Sequence, residues 1–358
     1  IRLRVDPALL VSRGKAFGTK AEWLTMTGND SEDANNLSFL DILAAKNLDP
    51  KDPLIHNWLA ITLLQNATGL IFQPNGSGSM SEAAKKVDDA LFAINEAIRI
   101  NPNHASFYQH RGVAYGLQSF LDIYQGADPG MAIEKSQEDI AKAMKLGNNN
   151  ATIYEAKALT HLWKCIALIP DFNPMTGKME ALEELDRAIE SCTEALLFPA
   201  RDPSIAKTHT MRGTLRSVKG LYAFFLGRGD ECIKMMKAAS DDFAAAGNLV
   251  EAYRIYDSEA FVSIRKAMEL QLKKKDPTEE YQKARKGLTE LLSGNLPNDK
   301  NAFVLKSFCL LYRGFANFHL KLPEEAIEDW NTLIRRVPPF KTFLGGWIRM
   351  AEKQIEKR

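Results

Sequence analysis

Residues 97–115 read AIRINPNHASFYQHRGVAY. The stretch divides at Pro102. Before it, Ala97, Ile98 and Ile100 close an amphipathic helical run; after it, Tyr108, Arg111, Gly112 and Tyr115 lie on one stripe of a second helix. Pro102 stops the first helix and sets the entry to the second. Gly112 falls mid-helix, where glycine costs about 1 kcal/mol relative to alanine. A small residue there has a use at a helix crossing, where it lets two backbones approach closely.

The phrase recurs along the chain. Arg13-Gly14, Arg111-Gly112, Arg212-Gly213 and Arg313-Gly314 set glycines 98, 101 and 101 residues apart. Helical periodicity is nearly continuous between them, strand signals are weak, and Pro, Gly, Asn and Asp clusters punctuate the chain roughly every 20 to 25 residues. A periodic pattern of this kind marks a repeat architecture.

Counted from Ala105, Tyr108, Arg111, Gly112 and Tyr115 take positions 4, 7, 8 and 11, while Ala97, Ile98, Ile100 and Pro102 take 27, 28, 30 and 32 of the unit before. In a final unit, Leu310, Arg313, Gly314, Asn317, Ala326, Trp330, Leu333 and Pro338 take positions 4, 7, 8, 11, 20, 24, 27 and 32. This resembles the tetratricopeptide repeat, a helix–turn–helix unit of about 34 residues with an aromatic at 4, small residues at 8, 20 and 27 and Pro at 32. The resemblance implies an all-α fold, a right-handed α-solenoid of about seven antiparallel helix pairs. The units fall at about 7–52, 53–104, 105–150, 151–205, 206–252, 253–306 and 307–340. All but the last exceed the family's length, with the excess at the turn between first and second helices. The unit at 253 is the poorest match: Ala260 fits position 8, but no clean pair of small residues marks its second helix. Residues 341–358 carry Phe343, Leu344, Trp347, Ile348 and Ala351 on one stripe and suit a C-terminal capping helix.

The chain has 358 residues, 46 Lys+Arg against 45 Asp+Glu, a formal charge of +1, and 45% hydrophobic residues. That much apolar surface excludes disorder, and the near-neutral balance argues against a nucleic-acid partner held by bulk charge. The apolar stretch from Phe303 to Leu320 is broken by Lys306 and Arg313, so no membrane span is expected. Because the first residue is Ile1, a processed chain or a piece of something longer is expected; the cytoplasm is favoured over the periplasm. Cys165, Cys192, Cys232 and Cys309 form no CxxC pair and are expected as free buried thiols.

No catalytic or metal pattern emerges. The six histidines make no HExxH, His56 and His209 fall at position 4 where packing is expected, and no cofactor or metal is expected. Glu183, Glu184, Glu324 and Glu325 are expected on solvated helix faces, and Lys273-Lys274-Lys275 at a helix end. The loops from Gln73 to Ser81 and from Pro170 to Lys178 read as flexible connectors. The Arg at position 7 has two readings: its stem lies along the core and its head holds a neighbouring carboxylate, or it lines the groove and takes a partner's carboxylate or phosphate.

Tetratricopeptide arrays bind partners on the concave face of their first helices, and by resemblance positions 2, 5, 9 and 12 point there. The unit at 105 offers Gln109, and the unit at 206 offers Lys207, Thr210, Thr214 and Ser217. The unit at 307 offers Phe308, Leu311, Phe315 and Phe318. The expected partner-binding set is Gln109, Thr210, Thr214, Phe308, Leu311, Phe315 and Phe318. The resemblance implies a non-catalytic scaffold or sensor module that takes a protein or peptide segment in its groove. The Arg-Gly phrasing points to a bacterial array attached to a larger signalling protein. The alternative is a ligand-binding or transport-associated helical ring with a central cavity.

Overall fold

The computed structural model describes residues 6–26, 32–71, 79–168, 180–200, 202–249, 256, 258–294, 300–338 and 340–357. Most of the two connector loops expected at 73–81 and 170–178 lies outside them. The described residues form fifteen α-helices: α1 (Pro7–Met26), α2 (Glu32–Leu48), α3 (Pro53–Ile71), α4 (Met80–Ile100), α5 (Ala105–Gln125), α6 (Gly130–Lys145), α7 (Ala151–Leu168), α8 (Glu180–Ala195), α9 (Asp202–Phe225), α10 (Gly229–Leu249), α11 (Glu259–Leu272), α12 (Thr278–Ser293), α13 (Lys300–His319), α14 (Pro323–Arg336) and α15 (Phe340–Glu356). The chain is an all-α solenoid of the tetratricopeptide type. None of these helices is long and apolar enough to cross a membrane.

Local chemistry sets the helix ends. Ser79 caps α4 by accepting from the Glu82 N–H at 3.0 Å. Gly126, at φ 75°, ends α5 in the left-handed region that side-chain-bearing residues rarely adopt. In α14, Pro323 opens the first turn with Glu324 and Glu325, and Arg335 and Arg336 close the last, matching charge to the helix dipole at both ends. Two position-4 residues tie their helix to the connection before it: the His56 ring bonds the Pro50 carbonyl at 2.8 Å, and the Tyr108 hydroxyl donates to Pro102 O at 2.9 Å.

The chain divides into two compact units, Ile1–Thr160 with Pro297–Phe303, and His161–Leu296 with Val304–Arg358. In both, the Arg-Gly phrase builds one recurring junction. Arg13 holds Asp41 (Nε–Oδ2 2.7 Å, Nη2–Oδ1 2.6 Å) and Arg111 holds Asp139 (2.7 and 2.8 Å). Arg212 holds Asp242 through Nε and Nη2 (Nη2–Oδ1 2.6 Å), and Arg313 likewise holds Asp329 (2.6 Å). The first of the two readings of position 7 is therefore the one realised: each guanidinium grips the second helix of its own pair as a bidentate fork.

The next residue on each side makes the crossing. A Cβ added to Gly14 would stand 2.9 Å from Ile42, on Gly112 3.0 Å from Ile140, and on Gly213 2.8 Å from Phe243; on Gly314 it would overlap the Trp330 indole. Arg-Gly on one helix thus reads Asp-Ile, Asp-Phe or Asp-Trp on the other. Two crossings carry a further bond, with Ser38 Oγ donating to Gly14 O and Ser136 Oγ to Gly112 O, both at 2.8 Å. The pair α11–α12 inverts the arrangement. Gly287 sits on the second helix and meets Ala260, where an added Cβ would lie 2.8 Å from the Ala260 Cβ.

Glu184 corrects an expectation. It is buried rather than solvated, held by His161 Nδ1 at 2.6 Å, Lys164 Nζ at 3.0 Å and Arg187 Nη1 at 2.5 Å. All four cysteines are free and buried, and burial pushes the Cys165, Cys232 and Cys309 thiols up to about 12.

Candidate functional site

Three successive first helices of the second unit, α9, α11 and α13, converge on a narrow pocket: the space between its atoms is about 300 Å³ with open solvent counted, but the room inside it for water-sized centres is only about 10 Å³. Thr214 and Ser217 come from α9, Phe261, Ile264 and Arg265 from α11, and Phe308 and Tyr312 from α13; Phe243 and Tyr256 close it. Helical geometry fixes the set: Thr214 and Ser217, like Phe261 and Ile264, are three residues apart and share a face. The aromatic walls pack on one another, Phe243 on Tyr256 at 5.4 Å, Phe261 edge-on to Tyr312 at 6.1 Å, and Phe308 on Tyr312 at 6.0 Å.

Charge is held at the pocket's edges. Arg265 lies 5.8 Å over the Phe243 ring and donates from Nη2 to Ser240 Oγ at 3.0 Å. Burial pushes the Tyr312 phenol up to about 12, against the pull of Arg265 and a hydrogen bond with Ser217. Next to Phe243, Asp242 takes bonds from His209 (3.0 Å), Arg212 and Arg216 (2.7 Å). Burial would raise its carboxyl, yet the His209 and Arg212 hydrogen bonds, with the nearby guanidinium charges, hold it below the ordinary range. Asp329, with one arginine, goes the other way: burial outweighs Arg313 and raises it.

Of the expected binding residues, the pocket brings together Thr214 and Phe308. Thr210 is half buried and its hydroxyl donates to Ala206 O at 2.9 Å. Gln109 belongs to the first unit and is buried in an amide network, donating to Thr152 Oγ1 at 2.8 Å and accepting from Asn148 Nδ2 at 2.5 Å. Leu311, Phe315 and Phe318 are a correction: they are buried core, not an open groove. The cause is α15, whose Trp347 stands edge-on to Phe315 at 5.2 Å and to Phe318 at 5.3 Å, with Trp330 behind both. Phe308, one turn before Leu311, escapes this cover and is half buried.

Phe261, Ile264, Arg265 and Tyr312 were not among the expected residues. A signal existed for two of them: counted from Ala260 at position 8, Phe261 and Ile264 take groove positions 9 and 12. A second, more polar depression on α12, lined by Gln282, Arg285, Lys286, Thr289 and Glu290 with Leu320 and Leu322, encloses about 940 Å³, much of it open solvent. Among the described residues, no three His, Cys, Asp or Glu side chains converge as a metal site.

No family model matches the chain, and no curated protein matches it by sequence. Solved structures do. A monomeric IFIT1 mutant with Gppp-AAAA is similar at TM-score 0.52 and 13% identity, over 98% of this chain and 64% of that one. The human IFIT1 dimer with m7Gppp-AAAA gives TM-score 0.50 and 13% identity, over 100% and 72%. Yeast Tom70 gives 0.25 and 11%, over 98% and 96%. The present chain thus spans under two thirds of the first of these proteins. Two of the three were solved with a nucleotide-type ligand, so the expectation that nucleic acid is excluded has no support from the comparison.

Proposed function

We propose that the chain is a non-catalytic interaction scaffold. It takes an extended partner segment along α9, α11 and α13, with one apolar side chain of the partner anchored in the pocket. One observation carries this reading: groove-facing positions of three successive first helices meet at a single apolar pocket edged by the Thr214 and Ser217 hydroxyls. An apolar pocket with a few convergent polar groups is the usual form of a binding site. The buried acid beside it supports a non-catalytic role, since Asp242 is fully engaged by His209, Arg212 and Arg216. Phe308, half buried, is the wall that yields to admit the anchor.

The test is selection from a random peptide library on the intact protein. Selected peptides share an apolar anchor, and Phe308→Asp, at a half-buried position, abolishes their binding while the fold survives, because a charge is costly inside an apolar contact. Peptides that bind this variant as well as the parent overturn this reading.

A second reading rests on the IFIT1 likeness over nearly the whole chain. The ligand is then an oligonucleotide, and a labelled 5′-triphosphorylated oligoadenylate binds with an affinity that falls steeply with salt. Salt-independent or absent binding removes it.

A further inference from the structure

The depression on α12 has a lining that its helix junction does not require. Arg111, Arg212 and Arg313 each reach the second helix of the preceding pair. Arg111 Nη1 donates to Asn95 Oδ1 at 2.8 Å, Arg212 Nη1 to Thr193 Oγ1 at 3.1 Å, and Arg313 Nη1 to Thr289 Oγ1 at 3.3 Å. Those three acceptors put α4, α8 and α12 in one register. In that register Arg285 and Lys286 stand where α4 carries Leu91 and Phe92 and where α8 carries Ile189 and Glu190. The junction is thus made twice without a cation at either place, and the two adjacent cations on α12 serve something else.

Gln282, Arg285, Lys286, Thr289 and Glu290 recur at helical spacing and share one face of α12, and the half-buried Leu320 and Leu322, from the turn between α13 and α14, complete the lining. One edge of the Arg285 guanidinium is fixed. Its Nε donates to Asn317 Oδ1 at 2.7 Å, and Asn317, 2% exposed, is itself held by donating to Asp329 Oδ2 at 3.1 Å. The other edge, Nη1 and Nη2, has no partner among the described residues; nor have the Lys286 ammonium, the Gln282 amide or the Glu290 carboxylate. A guanidinium held on one side with two parallel N–H groups open is set to take a carboxylate bidentately. The room in the depression for water-sized centres is about 520 Å³, against about 10 Å³ in the pocket on α9, α11 and α13, so a ligand enters without moving a wall.

We propose that this depression binds an acidic segment of a partner protein, with a glutamate or aspartate on the open edge of Arg285 and on Lys286, and an apolar side chain of the segment against Leu320 and Leu322. Charge selects the occupant. Arg285 and Lys286 outweigh Glu290, and the exposed Lys321, between the two leucines in the chain, adds positive charge there. Glu290 repels a phosphate-rich ligand but accepts a backbone N–H, which a peptide supplies. From Gln282 to Glu290 the lined face runs roughly 12 Å along the helix, the length of about four extended residues. The site shares no residue with the pocket on α9, α11 and α13, and neither reading depends on the other.

The probe is a panel of dye-labelled octapeptides with two glutamates and one leucine at every relative spacing on a glycine-serine background. It is titrated into the full chain and followed by fluorescence anisotropy. The expected result is saturable one-site binding by a subset of the panel, weakened about tenfold or more by Lys286→Glu or Arg285→Gln in the protein and by glutamine in place of the peptide's two glutamates. Lys234→Glu, the same charge change at an exposed position of α10, leaves binding unchanged, which separates the site from bulk charge. Lys286 is exposed and bonds nothing among the described residues, so Lys286→Glu keeps the fold even where Arg285→Gln, which releases Asn317, does not. No binding by any member, binding that Lys286→Glu leaves unchanged, or equal loss in Lys234→Glu overturns the proposal. So does tighter, Lys286-dependent binding of a labelled 5′-triphosphorylated oligoadenylate, since the occupant is then a phosphate ligand.

Discussion

Arg111 grips Asp139 from the facing helix through two parallel hydrogen bonds, and their chain neighbours Gly112 and Ile140 make the closest approach of the same two helices. The two contacts do different jobs. The fork fixes the register of one helix along the other, because guanidinium and carboxylate are planar and match in one alignment. The glycine fixes the distance. Four copies of this junction recur at about 100-residue spacing, with Ile, Phe and Trp as interchangeable wedges against the glycine.

Glycine substitutions therefore separate by site. Gly314→Ala places a methyl inside the Trp330 indole, 2.6 Å from Cδ1, and is expected to destabilise by about 1–3 kcal/mol. Gly346→Ala on α15 meets nothing within 4 Å and is expected to stabilise by about 0.5–1 kcal/mol through helix propensity. Urea titrations of the two variants check the opposite signs.

The cost of removing a gripped acid depends on how buried the partners it leaves behind are. Asp242→Ala strands His209, Arg212 and Arg216, and breaking a buried pair of this kind costs about 3–5 kcal/mol. Asp41→Ala releases only the exposed Arg13 and is expected to cost far less. Equal losses in chemical denaturation contradict the assignment.

Two histidines give the pH dependence. Burial lowers His110 and His319 to about 4, with help from the nearby His104 and Lys321 charges. Each folded pKa lies below the unfolded value, so the unfolded chain binds more protons between about pH 6.5 and 4. The stability they contribute is fully present above about pH 6.5 and is lost as pH falls to 4, on the order of 2 kcal/mol each after discounting for partial exposure. His110→Gln keeps a donor for Asn57 and is expected to flatten the stability profile across that window. An unchanged profile contradicts the assignment.

Deleting residues 340–358 uncovers Phe315, Phe318 and Trp330, which now pack on Trp347 and Leu344. The truncated chain is expected to self-associate in light scattering, as a solenoid does without its terminal cover. A monomeric truncation of unchanged helicity contradicts this.

What the sequence made legible followed from residues with one physical use. Gly14, Gly112, Gly213 and Gly314 sit mid-helix, where only close packing explains them, and they located α1, α5, α9 and α13. Residues with two uses misled. Leu311, Phe315 and Phe318 fall at groove positions, but an apolar stripe can face a partner or the chain's own last helix, and spacing along α13 does not say where Trp347 lies. Glu184 fits a solvated face until His161, Lys164 and Arg187 are seen to surround it. In α11–α12 the first helix carries Ala260 without the Arg-Gly phrase and the glycine stands on the second helix as Gly287, so the crossing was poorly marked, and Phe261 and Ile264 at the pocket were passed over with it.

The claim that the pocket receives a partner's anchor is tested most directly by photo-crosslinking. Phe308 is replaced by p-benzoylphenylalanine, which keeps the ring, and the exposed Phe92 on α4 serves as control. A library-selected peptide is expected to form an adduct from position 308 that excess unlabelled peptide suppresses, and none from position 92. Saturable binding with no adduct from position 308, or with equal adducts from both, contradicts the claim.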